Sequence, residues 1–97
     1  MIKTFKDKET KLFFENGKKP KKLPSNLVGK AVAKLAMVNS SKELTDFFIP
    51  PSNHFEALKG NRKGQYSIRI NDQFRVCFSF KEDEGNAYDV EITNHYK

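Results

Sequence analysis

Tryptophan is absent from this 97-residue chain, cysteine occurs once, at Cys77, and no apolar stretch nears the length needed to cross a bilayer. A single cysteine excludes an internal disulfide and a thiolate metal cluster, and points to a reducing, cytoplasmic setting. The opening "MIKTFKDKET" lacks the apolar segment of a secretory leader, so no membrane partner is expected. The length fits one domain, residues 1–97, able to bury roughly two thirds of its surface, and no repeat or linker divides it. The nine phenylalanines, with Leu, Ile and Val, suffice to fill one modest core without crosslinks.

Acidic residues are scarce at one end. The net charge is +6, and residues 1–30 hold nine lysines against Asp7, Glu9 and Glu15, whereas the remainder holds nine bases and nine acids. The densest part is "GKKPKKLP", where Gly and Pro mark a loop and Lys18, Lys19, Lys21 and Lys22 have no local neutralisation. Such a loop is either simply solvated or a patch that tracks phosphates, since clustered positive charge concentrates a polyanion.

Periodicity divides the chain in two. Ile2 to Phe5 reads as a short first strand. Asp7 then caps a helix carrying Leu12, Phe13 and Phe14, which stops at Asn16-Gly17. Leu27, Ala31, Leu35 and Val38, with Val28 and Val32 alongside, recur at three- and four-residue steps and predict a helix from about Ser25 to Asn39. Ser40 and Glu43 have the spacing of a capping box before a brief helix over Leu44 to Phe47, ended by "IPPSN". From Gln65 the period becomes two: Tyr66, Ile68 and Ile70; then Phe74, Val76, Phe78 and Phe80; then, after "KEDEGN", Tyr88, Val90 and Ile92. These predict a three-stranded meander whose apolar face the helices cover.

The apolar sides also set the hairpin register. A two-residue turn puts Arg69 opposite Phe74 and mixes the faces, whereas a three-residue loop, Asn71-Asp72-Gln73, pairs Ile70 with Phe74, Ile68 with Val76 and Tyr66 with Phe78. That register sets Arg69 across from Arg75 on the other face, where like charges cost up to roughly 1 kcal/mol. Glu91, opposite or diagonal to Arg75, offers a salt-bridge ladder as the offset; a bound phosphate held by two forked donors offers another. Lys59, Arg62 and Lys63 converge from the preceding glycine-containing loop. Cys77, on the same face, reads as a small filler, and Asp89 and Glu91 as ion-pairing groups, with no histidine at ligand spacing to make a metal site.

The string "LKGNRKGQYSIRINDQFRVCF", followed by "AYDVEI", a short histidine-containing end, and "PPSN" before "EALKG", resembles the HigB branch of the RelE/ParE superfamily of bacterial toxins. The resemblance implies an α+β, RelE-like compact domain, with N-terminal helices packed on one face of a curved, mainly antiparallel sheet of about four strands. It further implies the toxin of a type II toxin-antitoxin pair, which enters the ribosomal A site and cuts mRNA without a metal or other cofactor. The implied partner is a HigA-like helix-turn-helix antitoxin, and operator DNA is reached only through the antitoxin complex. Lys59 and Arg75 match positions that HigB-like toxins use against RNA phosphates, with Arg62 and Arg69 in the same basic neighbourhood. Relatives commonly finish Asp-Tyr-His, whereas this chain reads Asn94-His95-Tyr96-Lys97. His54 is displaced from the histidine that some relatives carry, so no catalytic role is transferred to it.

Metal-free RNA cleavage requires the substrate 2′-hydroxyl, a base, cations for the charge developing on phosphorus, and an acid for the departing oxygen. Histidine titrates near neutrality, whereas tyrosine needs nearby cations to act as a base. His95 is therefore assigned to proton transfer, Tyr96 to a second such role or to base stacking, and Lys59, Arg69 and Arg75 to phosphate and transition-state binding. Two rivals accompany this reading: a noncatalytic ParE-like toxin acting on DNA gyrase, and an inactive module that binds RNA or antitoxin only.

Overall fold

A computed structural model describes residues 1–94. Two α-helices, α1 (Lys8–Asn16) and α2 (Val28–Ser40), precede four strands, β1 (Glu56–Ala57), β2 (Gln65–Arg69), β3 (Arg75–Lys81) and β4 (Asn86–Thr93). The strands form one antiparallel sheet in the order β1-β2-β3-β4. Residues 1–6 run parallel to the outer side of β4: the Lys3 amide donates to the Ala87 carbonyl (2.8 Å) and the Lys6 amide to that of Val90 (3.0 Å). The expected first strand is thus present as two isolated bridges, Ile2 to Ala87 and Phe5 to Val90.

Glycine ends α1 as expected. Gly17 takes φ 76°, which other residues resist, and its amide closes on the Phe13 carbonyl at 3.0 Å. Asp7 holds the cap position with extended dihedrals, but its carboxylate makes no capping bond and its Oδ1 is buried without a partner, so the expected side-chain cap is not formed. In α2 the stripe Leu27, Ala31, Leu35 and Val38 is buried, whereas Val32, expected alongside it, is half exposed. The capping box lies three residues later than its predicted start: Glu43 and Asp46 form it, and the Asp46 carboxylate accepts from the amides of Lys42 (2.9 Å) and Glu43 (3.1 Å). Ser40 instead ends α2, its hydroxyl donating to the Met37 carbonyl. The following turn, Leu44–Phe48, is a 3₁₀ helix that drives Phe47 into the core against Phe55, Phe78 and Phe80.

The core lies between the helices and one face of the sheet, where Ile68, Val76, Phe78, Val90 and Ile92 are fully buried. The hairpin has the predicted register, with Tyr66 opposite Phe78, Ile68 opposite Val76 and Arg69 opposite Arg75. Asn71 fixes its loop, accepting through Oδ1 from the amides of Gln73 (2.9 Å) and Phe74 (2.7 Å). The last strand departs from simple alternation. Asp89 has φ 53°, its amide donates to Thr4 Oγ1, and the pairing slips between Cys77 and Ser79, so Tyr88 lies opposite Ser79 rather than on the core face. Ala87 takes the core position, opposite Phe80. Glu91 lands opposite Cys77, diagonal to Arg75, and Thr93 lies opposite Arg75.

Candidate nucleic-acid interface

The sheet face turned away from the helices carries Ser67, Arg69, Arg75, Cys77, Glu91 and Thr93, and it is closed rather than open to water. Ser67 and Cys77 are fully buried and Arg75 is 6% exposed. A guanidinium so deep must be supplied with acceptors. Arg75 donates through Nη1 to Glu56 Oε1 (2.7 Å) and to Ser67 Oγ, and through Nη2 to the His54 carbonyl (2.9 Å). These acceptors come from β1, β2 and the turn before β1, so the strand order itself builds the cradle.

His54 is held there at a cost. Its φ of 45° is a left-handed conformation that a residue with a Cβ resists, and its amide is fixed by the Pro51 carbonyl at 3.1 Å. The turn thereby aims the His54 carbonyl at Arg75 and brings that histidine's backbone to the polar face. Arg69, directly across, has a different partner, the exposed Asp72 carboxylate at 2.5 Å. The like-charge juxtaposition expected from the register is therefore relieved by two carboxylates, Glu56 and Asp72.

Glu91 organises the next level. It accepts from Arg62 Nη2 at 2.8 Å and pairs with Lys6 at 3.6 Å, while Arg62 Nη1 donates to Gln65 Oε1 at 3.0 Å. Arg62 thus reaches from β2 to β4 across β3, above Cys77. Burial, chiefly, pushes the Cys77 thiol up to about 11, with Arg62 opposing that shift and Glu91 adding to it. The thiol is a filler under the ion-pair layer, as its small size on an alternating strand suggests.

The other expected residues distribute unevenly. Lys59 is exposed at the start of the 60–62 turn, beyond the Leu58–Gln65 hydrogen bond, so its backbone sits at the opposite end of β2 from Arg75. Lys63 is exposed in the same loop. The lysine loop belongs to the helix layer: Leu23 is buried in the core, the Lys21 amide donates to Glu9 Oε2 (3.1 Å), and the Lys19 ammonium donates to the carbonyls of Pro20 (3.1 Å) and Leu23 (2.8 Å). Lys19 therefore braces the loop, while Lys18 and Lys22 are exposed. His95 and Tyr96 lie outside the described residues; Thr93, two positions before His95, pairs with Arg75.

This arrangement, a helix layer on one face of a four-stranded sheet and a buried arginine on the other, coincides with a family match. The model for the RelE-like toxin HigB of type II toxin-antitoxin systems covers residues 3–95. The chain belongs to this family. Relatives of this HigB-like toxin include Toxin HigB-1 of Vibrio cholerae, 39% identical over 82% of this chain and 84% of that protein. An uncharacterised protein of Haemophilus influenzae is 35% identical over 84% of this chain and 81% of its own length. Endoribonuclease HigB of Proteus vulgaris is 29% identical over 99% of this chain and all of that protein. Toxins of this kind pair with an antitoxin.

Within the HigB-like chain, sequence reasoning misses Glu56, Ser67, Lys6 and the His54 carbonyl as parts of the polar face. Ser67 carries a legible signal, a small polar residue in the alternation beside two arginines. Glu56 and Lys6 carry none, because each reaches the site through a segment too short to show a period. No helix among the described residues is long and apolar enough to cross a membrane.

Proposed function

We propose that this chain is a ribosome-dependent endoribonuclease that cuts mRNA in the A site without a metal, by attack of the substrate 2′-hydroxyl on the adjacent phosphate. The observation that carries the reading is Arg75: a buried guanidinium that donates to Glu56, Ser67 and the His54 carbonyl, opposite Thr93, which precedes His95 by two positions in the sequence. A cation held in place stabilises charge developing on a phosphorane better than one on a mobile side chain. Arg62, held by Glu91 and Gln65, adds a second fixed guanidinium, and Lys59, Lys63 and Arg69 extend positive charge along the backbone of the message. Lys18, Lys19, Lys21 and Lys22 belong to a separate patch that raises encounter with ribosomal RNA.

His95 is the proposed proton-transfer group, with Tyr96 as its complement. His54 joins as a second candidate, because its backbone stands at Arg75. The proposed partner is a helix-turn-helix antitoxin of the HigA kind, through which alone operator DNA is met, and the proposed setting is the cytoplasm.

The test is cleavage of mRNA on translating ribosomes, followed by analysis of product ends. A 2′,3′-cyclic phosphate, and loss of cutting when the nucleotide at the cut is 2′-deoxy, are expected. Arg75→Lys keeps the charge but loses the fork, and should lower the cleavage rate by about 10²-fold. Separate His54→Ala and His95→Ala variants identify which imidazole moves the proton. Intact mRNA beside accumulating DNA breaks in arrested cells would replace the reading with gyrase inhibition.

A further inference from the structure

Beyond the Arg75 cradle, a cleft of about 360 Å³ opens between α2, the 51–53 turn and the end of β2, lined by Lys30, Ala33, Lys34, Ser52, Arg69 and Ile70. Three of these six residues are cations and none is an acid. Lys30 and Lys34 stand one helical turn apart, a spacing at which like charges repel. Lys34 is held in place rather than free to swing away: its ammonium donates to Asn53 Oδ1, and Asn53, itself 1% exposed, is fixed through Nδ2 by the carbonyls of Phe47 (3.1 Å) and Ile49 (3.3 Å). Burial, then the charge of Lys30, lower the Lys34 ammonium from its ordinary value. The fold thus confines Lys30 and Lys34 in a concave site beside Arg69, whose Asp72 partner is exposed at the hairpin tip, an arrangement that a bound anion would relieve.

We infer that this cleft binds a backbone phosphate of the same RNA strand that the Arg75 site engages, one or more nucleotides away from the cut. The inference rests on the nuclease reading and extends it. Continuity favours RNA over an acidic protein segment: Arg69 lines the cleft and is also the cross-strand partner of Arg75, so one polyanion leaving Arg75 across the hairpin meets Arg69 and then Lys30 and Lys34. Among the described residues Arg69 donates to Asp72 through Nη2, and a guanidinium has five N–H groups from which to serve a phosphate as well. The exposed Ser52 hydroxyl supplies a neutral donor at the rim.

The probe is a 2′-O-methyl RNA oligonucleotide, uncleavable because its nucleophile is blocked, with affinity followed by fluorescence anisotropy across a sodium chloride series. Lys30 is exposed, so Lys30→Glu leaves the fold intact; Lys42→Gln, beyond the far end of α2, is the control. Lys30→Glu should weaken binding several-fold and reduce the slope of log K against log salt by about 0.7, the value for one lost single-strand phosphate contact. Lys42→Gln should match the wild type. A wild-type slope in Lys30→Glu overturns the cleft assignment alone and leaves the nuclease reading standing. Loss of binding to an oligoglutamate peptide with RNA binding intact also overturns it, in favour of an acidic protein segment. A wild-type chain that does not bind the oligonucleotide at all overturns the cleft assignment, whereas the nuclease reading is decided separately by cleavage on translating ribosomes.

Discussion

Glu56 presents its carboxylate to Arg75 much as a phosphate oxygen would, which gives Glu56→Gln two effects of opposite sign. The bond is short, 2.7 Å, but its ends differ: the Arg75 side chain is 7% exposed and that of Glu56 is 53% exposed. A fully exposed pair contributes at most about 1 kcal/mol, and a desolvated charge-assisted hydrogen bond about 1.5–3 kcal/mol. Half-exposure of the carboxylate screens the pair, and glutamine retains an acceptor, so the loss of folding stability should be about 1 kcal/mol. For a chain of this size that lowers Tm by roughly 4–8 °C in a thermal melt. On the proposed nuclease reading, RNA affinity should move the other way, because a substrate phosphate would have to share Arg75 with Glu56 or displace it. Removing the competing charge returns about 1 kcal/mol to binding, roughly five-fold tighter uncleavable RNA in the anisotropy assay. If melting temperature and affinity fall together, Glu56 positions Arg75 for phosphate instead of competing with it, and the reasoning fails.

Cys77 should resist iodoacetamide in the folded protein at pH 8, because a buried thiol raised to about 11 is almost wholly protonated there; mass spectrometry should find alkylation only once denaturant exposes it, and rapid labelling of the native chain would contradict the closed ion-pair layer. Asp46 is held below the usual carboxylate range, first by the Lys42 amide and then by that of Glu43. Its contribution to stability is therefore complete above its unfolded value and is lost as pH falls through the depressed folded value. Asp46→Asn should flatten that part of the acid limb in a pH series of thermal melts, whereas an unchanged acid limb would remove the capping box from the account.

What could be read from the sequence was what local alternation and helical spacing encode. The Ile68 and Val76 faces admit one hairpin register, and that register alone sets Arg69 against Arg75, so the cationic character of the outer face was legible without coordinates. The stripe from Leu27 to Val38 likewise identified the helix that covers the core. The slip in β4 was not legible: Tyr88-Asp89-Val90-Glu91-Ile92 alternates as cleanly as an unbroken strand, whereas in the structure residues 1–6 run alongside and Thr4 takes the Asp89 amide at the bulge.

The same distinction explains the site. Glu91 was in view as a partner because it shares a sheet face with Arg75, but the structure gives it to Arg62 and Lys6, which arrive from a loop and from the chain's start. Arg75 meets Glu56 because a two-residue edge strand pairs Glu56 with Ser67, a contact that no periodicity announces. Both outcomes follow from one requirement. A guanidinium enclosed by a fully buried Ser67 and Cys77 needs acceptors within its own reach, and β1, though too short to add appreciable apolar burial, brings the one carboxylate among the described acceptors at Arg75 Nη1 and Nη2, beside Ser67 of β2 and the His54 carbonyl. The smallest strand in the sheet therefore supplies the carboxylate that faces its most deeply placed cation, so the arginine itself was visible in "FRVCF" while the group that meets it was not.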